Sequence, residues 1–392
     1  MLKRFSYLPM VLNVFLTQSI PVTIPVFNGS GNINLMNIFD IPIFVIMRFD
    51  SITIKDIGKA LGLSTSTVSR ALRGSYEISS ETKKQVLEYA EKMNYRPNPI
   101  ALSLKERKSR SIGVVVCEIA NNFFSQAING IESIAYNRGY HVIISQSHES
   151  YEREVVNVQH LASRSVDGLL VSLSSETTDL SHFISLHEKG LPIVFFDRVT
   201  NEIITHKVIA DNYKAAYNAT VHLISNGYKK IAHITSAPFL SITRERLEGY
   251  KNALLENRLP YDEKLVKYCS HGGMIVEEIE AALNNLLKIK QKPDAIVAAG
   301  DRITTGCLTA IKNLGLNIPG DIAVVGFTNT NIPELFAPML TTVRLPAFGM
   351  GQEAIELLIQ LIEAKRPVTE FETKVLQTEF VIRDSSGMRP AK

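Results

Sequence analysis

The chain has 392 residues, of which 45% are hydrophobic and 21% charged, with a formal net charge of +3. This length allows more than one domain with a substantial core, and the composition excludes a disordered protein. The three cysteines, Cys117, Cys269 and Cys307, lie far apart and form no CxxC pair. They exclude a disulfide scaffold and zinc-finger spacing, and they favour a reducing compartment.

The charge is distributed unevenly along the chain. Residues 51–108 contain 11 basic and 6 acidic side chains, a net charge of +5. Residues 109–392 contain 28 basic and 31 acidic side chains, a net charge of −3, and the first fifty residues add +1. A small basic module is thus joined to a large, mildly acidic one, which indicates a polyanionic partner for the basic part.

The first fifty residues differ in character from the rest. Two apolar stretches, Leu8–Leu16 and Ile41–Ile46, are interrupted by prolines, and Lys3 and Arg4 precede the first stretch as in a signal peptide. Neither stretch reaches the roughly 18 uninterrupted apolar residues of a membrane span. We expect a non-native extension, with translation beginning at Met47. A disordered tail and a targeting signal stay open as alternatives.

The basic module carries the signals of three short helices. Thr53 can cap a helix over Ile54–Leu61, Ser64 can cap a second over Thr65–Arg73, and Ser79 can begin a third. The apolar residues expected on their inner faces are Ile54, Ile57, Ala60 and Leu61, then Val68, Ala71 and Leu72, then Val86, Ala90 and Met93. Two short helices joined by a tight turn containing glycine are typical of a helix-turn-helix.

The second helix of such a motif enters the DNA major groove with its N-terminal residues nearest the base edges. Its outward residues here are Thr65, Ser66, Ser69, Arg70 and Arg73. An arginine can bridge O6 and N7 of guanine, which contributes about 1–3 kcal/mol of base discrimination. The pattern therefore predicts a DNA-reading module. A small helical domain with a solvated basic face stays open on the pattern alone.

The run from Thr53 to Gly74 resembles the headpiece of the LacI/GalR family of bacterial transcription regulators. The strings that carry the resemblance are Val68-Ser69-Arg70-Ala71-Leu72 and Asn94-Tyr95-Arg96-Pro97-Asn98. The resemblance implies that Thr65, Ser66 and Arg70 read bases and that Tyr95 and Asn98 contact the DNA backbone. It therefore implies a DNA-binding domain over residues 51–98.

A hinge is expected over residues 99–110. Ile100, Ala101 and Leu104 can share one face of a short helix. The resemblance implies that this helix forms only on operator DNA, where Leu104 wedges into the minor groove.

Residues 111–392 alternate β-branched runs with helical periods. The expected strands are Ile112–Cys117, Tyr140–Gln146, Val166–Leu173, Pro192–Asp197, Lys230–Ser236, Asp294–Gly300, Asp321–Phe327 and Thr378–Asp384. The helices between them include Phe124–Asn137, Asn212–Asn226, Arg244–Asn257 and Ile303–Asn313. This alternation predicts an α/β fold with parallel sheets covered on both faces, and its length predicts two lobes. Ligands of such folds bind at the carboxyl ends of the strands, here between the lobes.

This large module resembles the effector-binding core of the same family, which is similar to periplasmic sugar-binding proteins. The matching strings are Ile112-Gly-Val-Val-Val, Asn122-Phe-Phe124, Val166-Asp-Gly-Leu-Leu170, Asp211-Asn212, Arg246-Leu-Glu-Gly-Tyr250, Asp321-Ile-Ala-Val-Val-Gly-Phe327 and Leu340-Thr-Thr-Val343. Thr328 departs from the pattern, because many members carry Asp after Gly-Phe. The resemblance implies an effector-binding and dimerising core.

A bound sugar or purine needs a few fixed polar groups and an aromatic wall. The candidates at strand ends are Asn122, Phe123, Phe124, Ser174, Asp197, Arg198 and Asp301. The resemblance adds Arg246 and makes Arg246 and Asp301 the best-supported contacts, a fork of donors opposite an acceptor for vicinal hydroxyls. The alternatives that stay open are Arg246 as a surface cation, Asp301 as a helix cap, Phe123 and Phe124 as core residues, and Asp197 as the ion-pair partner of Arg198.

The sequence contains no GxxxxGK, GxSxG or HExxH motif, so we expect no enzyme activity, cofactor or metal. The prediction is a cytoplasmic, homodimeric regulator, in this family usually a repressor, that binds near-palindromic operator DNA. A small molecule, a sugar or sugar phosphate, is expected to control its operator affinity. A tetramer stays open as an alternative to the dimer, and a membrane partner is not expected. The rivals are a periplasmic solute-binding protein, which cleavage near residues 20–35 would reveal, and an enzyme, which turnover of a sugar would reveal.

Overall fold

The computed structural model describes residues 52–96, 108–330, 332 and 336–389, together with the backbone of residues 22–27 and 33–38. The chain divides into two compact units, Met1–Pro97 and Asn98–Lys392. In the first unit, strand β1 (Val22–Phe27) pairs antiparallel with β2 (Ile33–Ile38). The start expected at Met47 lies outside the described residues. No helix in the described ranges is long and apolar enough to cross a membrane.

Three helices form a small bundle in the first unit: α1 (Ile54–Leu61), α2 (Thr65–Leu72) and α3 (Ser80–Lys92). Each begins at its expected cap, since the side chains of Thr53, Ser64 and Ser79 all accept a hydrogen bond from a backbone N–H of the first turn. Their buried core consists of Ile57, Val68, Ala71, Val86 and Ala90. The expected helix-turn-helix is confirmed.

Two of the residues expected on the inner faces of these helices are not there. Ala60 is exposed, because the buried face of α1 consists of Ile57 and Gly58. A Cβ at Gly58 would lie 2.7 Å from the carbonyl oxygen of Leu63, so the tight turn needs this glycine. Met93 is 38% exposed because it follows the last residue of α3 rather than continuing its buried face. The turn geometry, and not the apolar period, decides both positions.

The second unit alternates strands and helices along the chain. Its strands are β3 (Ser111–Val116), β4 (His141–Gln146), β5 (Gly168–Val171), β6 (Ile193–Phe196), β7 (Lys207–Ala210), β8 (Ile231–Thr235), β9 (Val266–Tyr268), β10 (Ala295–Ala298), β11 (Ala323–Phe327), β12 (Thr341–Arg344), β13 (Thr373–Leu376) and β14 (Glu379–Val381). Its helices are α4 (Asn122–Asn137), α5 (Tyr151–Ser163), α6 (Ser181–Glu188), α7 (Asn212–Ser225), α8 (Ser241–Glu256), α9 (Val276–Leu287), α10 (Asp301–Asn313) and α11 (Ala347–Glu363). Every expected strand forms within its expected span or one residue beyond it.

The strands make two six-stranded sheets, one in each lobe. The N-terminal lobe has the order β13-β7-β6-β5-β3-β4 and is parallel throughout. The C-terminal lobe has the order β14-β12-β11-β10-β8-β9, and only β14 runs antiparallel. The described chain passes between the lobes after β7, after β12 and after β13. The predicted two-lobed α/β class is confirmed.

Apolar residues fill both faces of each sheet. On β3, Val114 and Val116 belong to the cluster on one face, and Val115 belongs to the cluster on the other. On β10, Ile296 and Val297 divide between opposite faces in the same way. Successive side chains of a strand point to opposite faces, so a nearly continuous apolar run is needed where both faces are covered. The loops at the strand ends are therefore the places where polar side chains can gather.

Candidate functional sites

A cleft lies between the two lobes, at the carboxyl ends of strands from both sheets. The empty space between its lining atoms is about 630 Å³, open solvent at its mouth included. The lining residues of the N-terminal lobe are Cys117, Glu118, Asn121, Phe123, Phe124, Glu149, Asp197 and Arg198. The remaining lining residues are Ser236, Ile242, Arg246, Gly272, Met274, Ala299, Gly300, Asp301, Arg302, Phe327, Thr328, Asn329 and Leu345. The position is the one expected of a ligand site in parallel α/β folds.

A buried ion pair forms one wall of the cleft. Arg198 donates through Nη1 and Nη2 to the two carboxylate oxygens of Glu149, at 2.6 and 2.9 Å. Burial alone would raise the pKa of Glu149, but the Arg198 guanidinium holds it below its usual value. The alternative in which Arg198 pairs with Asp197 is therefore wrong. The guanidinium is already held by Glu149.

The carboxylate of Asp197 points into the cleft without a partner. It accepts no hydrogen bond from any described residue, although Asp197 is only 5% exposed. Burial raises its pKa, and the charges of Arg198 and Arg246 offset part of that shift. Its backbone is left-handed, with φ of 59°. Asp197 therefore presents a charged acceptor to whatever enters the cleft.

Arg246 lies on α8 across the cleft and is 2% exposed. Its Nε donates to Oδ1 of Asn212 at 2.9 Å, and its Nη1 donates to the carbonyl of Ala299 at 3.1 Å. The guanidinium lies 4.6 Å from the ring centroid of Phe327. Its buried Nη2 has no partner among the described residues. The alternative of a surface cation is wrong, and Nη2 remains as a donor for a ligand.

Asp301 begins helix α10 at the floor of the cleft. The helix starts at Asp301 with Gly300 as its N-cap, so the alternative in which Asp301 caps a helix from Ile303 is wrong. The hydroxyl of Thr328 donates to its carboxylate, and the backbone N–H of Asn122 is directed at it. Burial raises the pKa of Asp301 despite these donors. Thr328, the residue that departs from the family pattern, thus donates a hydrogen bond to a carboxylate that lines the cleft.

The other sequence candidates divide between cleft and core. Phe123 and Phe124 line the cleft and also belong to the core, at 5% and 3% exposed. Ser174 does not line the cleft, and its backbone N–H donates to Glu154 at 2.8 Å. Asn122 contributes its backbone, whereas the side chain at the cleft is that of its neighbour Asn121.

Glu118, Glu149 and Arg302 were missed by the sequence prediction. Glu118 and Glu149 follow the first and second strands of the N-terminal lobe, so a search of every strand end for acidic residues would have found them. Arg302 directly follows Asp301, the residue already selected. The loops after β3 and β4 therefore contribute acidic side chains to the cleft, as the position of ligand sites at strand ends leads one to expect.

Besides the N–H of Asn122 at the Asp301 carboxylate, several contacts between described residues join the lobes around the cleft. Arg302 makes a two-point ion pair with Glu118, with Nε to Oε2 at 2.9 Å. Nε2 of Gln126 donates to the backbone carbonyl of Asn329, and Nδ2 of Asn329 donates to Oε1 of Gln126, each at 3.0 Å. The backbone N–H of Val199 donates to Oγ of Ser241, and Nε2 of His271 lies 3.5 Å from Oε1 of Glu176. These pairs close the cleft along its rim.

Helix α2 presents its polar face to solvent. Thr65, Ser66 and Arg73 are exposed, and Ser69 is half-buried. The Nη1 of Arg70 lies 3.1 Å from Glu77, with both side chains about half exposed. This surface pair can open at low cost, because exposed pairs contribute only about 0–1 kcal/mol. The helix therefore carries the outward residues that a DNA-reading role requires.

The remaining candidates are Tyr95 and the hinge residues. Tyr95 packs half-buried against the core of the helical bundle. Asn98, Ala101 and Leu104 lie outside the described residues. In the described ranges no cluster of three or more His, Cys, Asp or Glu could hold a metal ion.

A helix-turn-helix unit followed by a two-lobed core with a polar cleft defines a class, the DNA-binding regulators with a ligand-binding core. Residues 53–98 match the model of the bacterial regulatory proteins, lacI family, and residues 220–386 match a periplasmic binding protein-like domain. An HTH-type transcriptional repressor PurR of Vibrio campbellii is 32% identical over 335 residues, which are 85% of this chain and 98% of that protein. The chain belongs to the lacI family of bacterial regulatory proteins.

Solved structures agree with this assignment. The lac repressor dimer bound to operator and the anti-inducer ONPF matches with a TM-score of 0.69 and 25% identity, covering 86% of this chain and 99% of that one. The complex of the transcriptional regulator CelR with cellobiose matches with a TM-score of 0.64 and 30% identity, covering 85% and 99%. The similarity therefore extends over the helical bundle and both lobes.

Proposed function

We propose that this protein is a transcriptional repressor that binds operator DNA as a homodimer and is controlled by a small molecule bound between its lobes. The single observation that carries the proposal is that one chain combines a DNA-reading helix with a polar cleft. Helix α2 is capped by Ser64 and turns its polar face to solvent. The cleft holds the Asp197 carboxylate and Nη2 of Arg246, neither of which has a hydrogen-bond partner among the described residues. The relatives support it, since they are repressors and include a regulator bound to a sugar. A regulator is favoured over an enzyme, and a cytoplasmic location follows from a DNA partner.

The DNA contacts are assigned within this proposal. Thr65, Ser66, Ser69, Arg70 and Arg73 face the major groove, and Tyr95 contacts the backbone. Asn98 also contacts the DNA backbone, and the hinge residues Ala101 and Leu104 complete the interface in the minor groove. Phosphate contacts release counterions, so operator affinity falls steeply as salt rises.

Arg70 provides the test of this assignment. An operator is selected from a random duplex pool with the full chain, and its Kd is compared with that of an unrelated duplex at one salt concentration. Arg70→Ala should weaken operator binding about 10-fold or more and leave non-specific binding nearly unchanged, because a base contact contributes about 1–3 kcal/mol. The matched control is Lys84→Ala, which removes a 76% exposed cation of α3 from the same unit. An equal loss on both duplexes would make Arg70 a phosphate contact.

Effector control is tested separately. A ligand that binds only the folded state raises the melting temperature of the chain, so a panel of sugars can be screened by thermal shift. A ligand found this way should also change the operator Kd, since binding at two sites is coupled reciprocally, typically by about 1–3 kcal/mol. A ligand that stabilises the core but leaves the operator Kd unchanged contradicts the regulatory role.

A further inference from the structure

The two exposed arginines at the end of α2 differ in their electrostatic surroundings. Nη1 of Arg70 lies 3.1 Å from Oε2 of Glu77, a residue of the loop that joins α2 to α3. Arg73, the C-cap of the same helix, is exposed and forms no ion pair with any described residue. One arginine of this surface is therefore neutralised by a carboxylate, whereas the other carries a free positive charge.

The turn after α2 brings Glu77 back to Arg70. Gly74 adopts a left-handed backbone with φ of 70°, and the N–H of Ser75 then donates to the carbonyl of Arg70 itself at 3.1 Å. On the far side of Glu77, Ile78 packs against the core of the helical bundle, and its N–H donates to the carbonyl of Ser75 at 3.3 Å. Two backbone hydrogen bonds and a core contact therefore place Glu77 beside Arg70.

A paired arginine and an unpaired one respond differently to DNA. An unpaired cation is attracted by the phosphates of any sequence, which is the source of non-specific affinity. The pair of Arg70 and Glu77 has no net charge, and a phosphate that approaches it also approaches a carboxylate. The major-groove edge of guanine offers two uncharged acceptors, O6 and N7, and meets no such repulsion. The pair therefore disfavours a phosphate more than it disfavours a base edge.

The pair leaves free the donors that a base contact needs. A guanidinium carries its N–H groups in a planar fork, so its edges can bind different partners. Glu77 lies at Nη1 of Arg70, and Nε and Nη2 have no partner among the described residues. These two nitrogens form one edge of the fork, which is enough for a bidentate contact with O6 and N7 of guanine. Arg70 can therefore keep Glu77 and read a guanine at the same time.

We propose that Glu77 determines specificity at the DNA interface, because it withholds the Arg70 guanidinium from phosphates and holds it for a guanine edge. The inference rests on the proposed function, since it adds a positioning residue to the same interface. Glu77 acts through Arg70 and needs no contact of its own with DNA. Exposed ion pairs are weak, so the expected effect on affinity is about threefold to fivefold rather than a loss of binding.

Substitution of Glu77 tests the proposal in the full chain. An operator is selected with the wild-type chain, and Kd is measured for it, for an unrelated duplex and for operators in which one base pair at a time is replaced. Glu77→Gln should bind the unrelated duplex about threefold to fivefold tighter, with a salt slope that is steeper by about 0.9 for one phosphate gained. It should lose a similar factor of discrimination at the base pair that Arg70→Ala no longer reads, and only there.

Two further variants show whether Glu77 acts through Arg70. Glu88→Gln is the matched control, because it removes an equal charge from an exposed pair with Lys84 on α3, 3.9 Å long. It should leave discrimination at the Arg70 base pair unchanged. In the double variant Arg70→Ala with Glu77→Gln, the second substitution should change the Kd of the unrelated duplex by less than about twofold, because salt screens an isolated exposed charge. All these positions are exposed, so the melting temperature should stay nearly unchanged.

Three results overturn the inference while the proposed function stands. They are unchanged or weaker binding of the unrelated duplex by Glu77→Gln, an effect of Glu77→Gln that is equally large without Arg70, and an equal loss of discrimination in Glu88→Gln. Failure of the proposed function looks different, since the wild-type chain then prefers no duplex over another, or Arg70→Ala weakens both duplexes equally. Either result removes the base contact through which Glu77 acts and overturns the inference as well.

Discussion

At the scale of single residues, the cleft is organised by a buried charge pair. Arg198 and Glu149 are 7% and 4% exposed, and the Ser175 N–H adds a third hydrogen bond to the carboxylate at 2.8 Å. Removing one partner of such a pair leaves an uncompensated buried charge, which costs far more than the intact pair contributes. The pair therefore fixes one wall of the cleft in which we propose that the effector binds.

Glu149→Gln should lower the free energy of unfolding at neutral pH by about 3 kcal/mol, because Arg198 keeps its charge in a buried site. The pKa of Glu149 is held below its ordinary value of 4.5. A lowered folded-state pKa contributes stability above the unfolded-state pKa, and this contribution is lost as pH falls through the folded-state value. In denaturant unfolding, the difference in free energy of unfolding between the variant and the wild type should therefore become smaller as the pH falls below about 4.5. Glu202→Ala is the exposed control, and an equal loss in both variants would refute the pair's role.

The sequence predicts residues of this site better than it predicts their partners. Asp197, Arg198 and Asp301 follow from the rule that ligands bind at strand ends. That Arg198 pairs with Glu149 does not follow, because the pairing depends on loop backbones such as the left-handed φ of 63° at Glu149. Local propensity does not specify a left-handed backbone at a glutamate. The pairing is set by tertiary contacts between residues 49 positions apart.

At the scale of elements, helices α4 and α11 approach so closely that glycine is required at their contact. A Cβ at Gly351 would lie 2.1 Å from the carbonyl oxygen of Ala127, and one at Gly130 would lie 2.1 Å from that of Phe348. Helix α8 meets α7 in the same way through Gly249, which belongs to the string shared with the family. These glycines set the spacing of the helix pairs.

Gly351→Ala should therefore destabilise the chain by about 1–3 kcal/mol, because the added methyl collides with a backbone carbonyl that cannot move alone. Gly349→Ala is the matched control on the same helix, since its Cβ would meet only the flexible end of Leu376 at 3.4 Å. The control should be neutral or stabilising by up to about 1 kcal/mol through helix propensity. Thermal unfolding measures both, and similar values for the two variants would contradict close packing at Gly351.

Elements with local signals were predicted well. The side chains of Thr53, Ser64 and Ser79 cap backbone N–H groups within one turn. A few adjacent residues are therefore enough to predict where each helix of the bundle begins. The short strands β7, β9, β12 and β13 were not predicted, because three or four residues show no reliable period. Their pairing with neighbouring strands, rather than their own sequence, makes them strands.

At the scale of the whole molecule, the relation between the lobes depends on distant pairs. Glu118 and Arg302 are 184 residues apart, and no local pattern in the sequence links them. Parallel sheets place strand ends at the same edge, so the existence of a cleft is predictable while its closing contacts are not. If the effector binds the closed arrangement, every contact that favours closure raises the apparent effector affinity by raising the competent fraction.

Glu118→Gln should shift the lobes towards a more open arrangement, because it removes the charge that holds the Arg302 fork across the cleft. The expected result in small-angle scattering is a larger radius of gyration than that of the wild-type chain without effector. Glu353→Gln is the control, since it breaks an ion pair with Lys374 within the N-terminal lobe, 2.5 Å long, and should leave the radius of gyration unchanged. An effector identified by the thermal screen should bind Glu118→Gln more weakly and restore the wild-type radius at saturation. If the two variants scatter alike, the Glu118–Arg302 pair does not hold the lobes together.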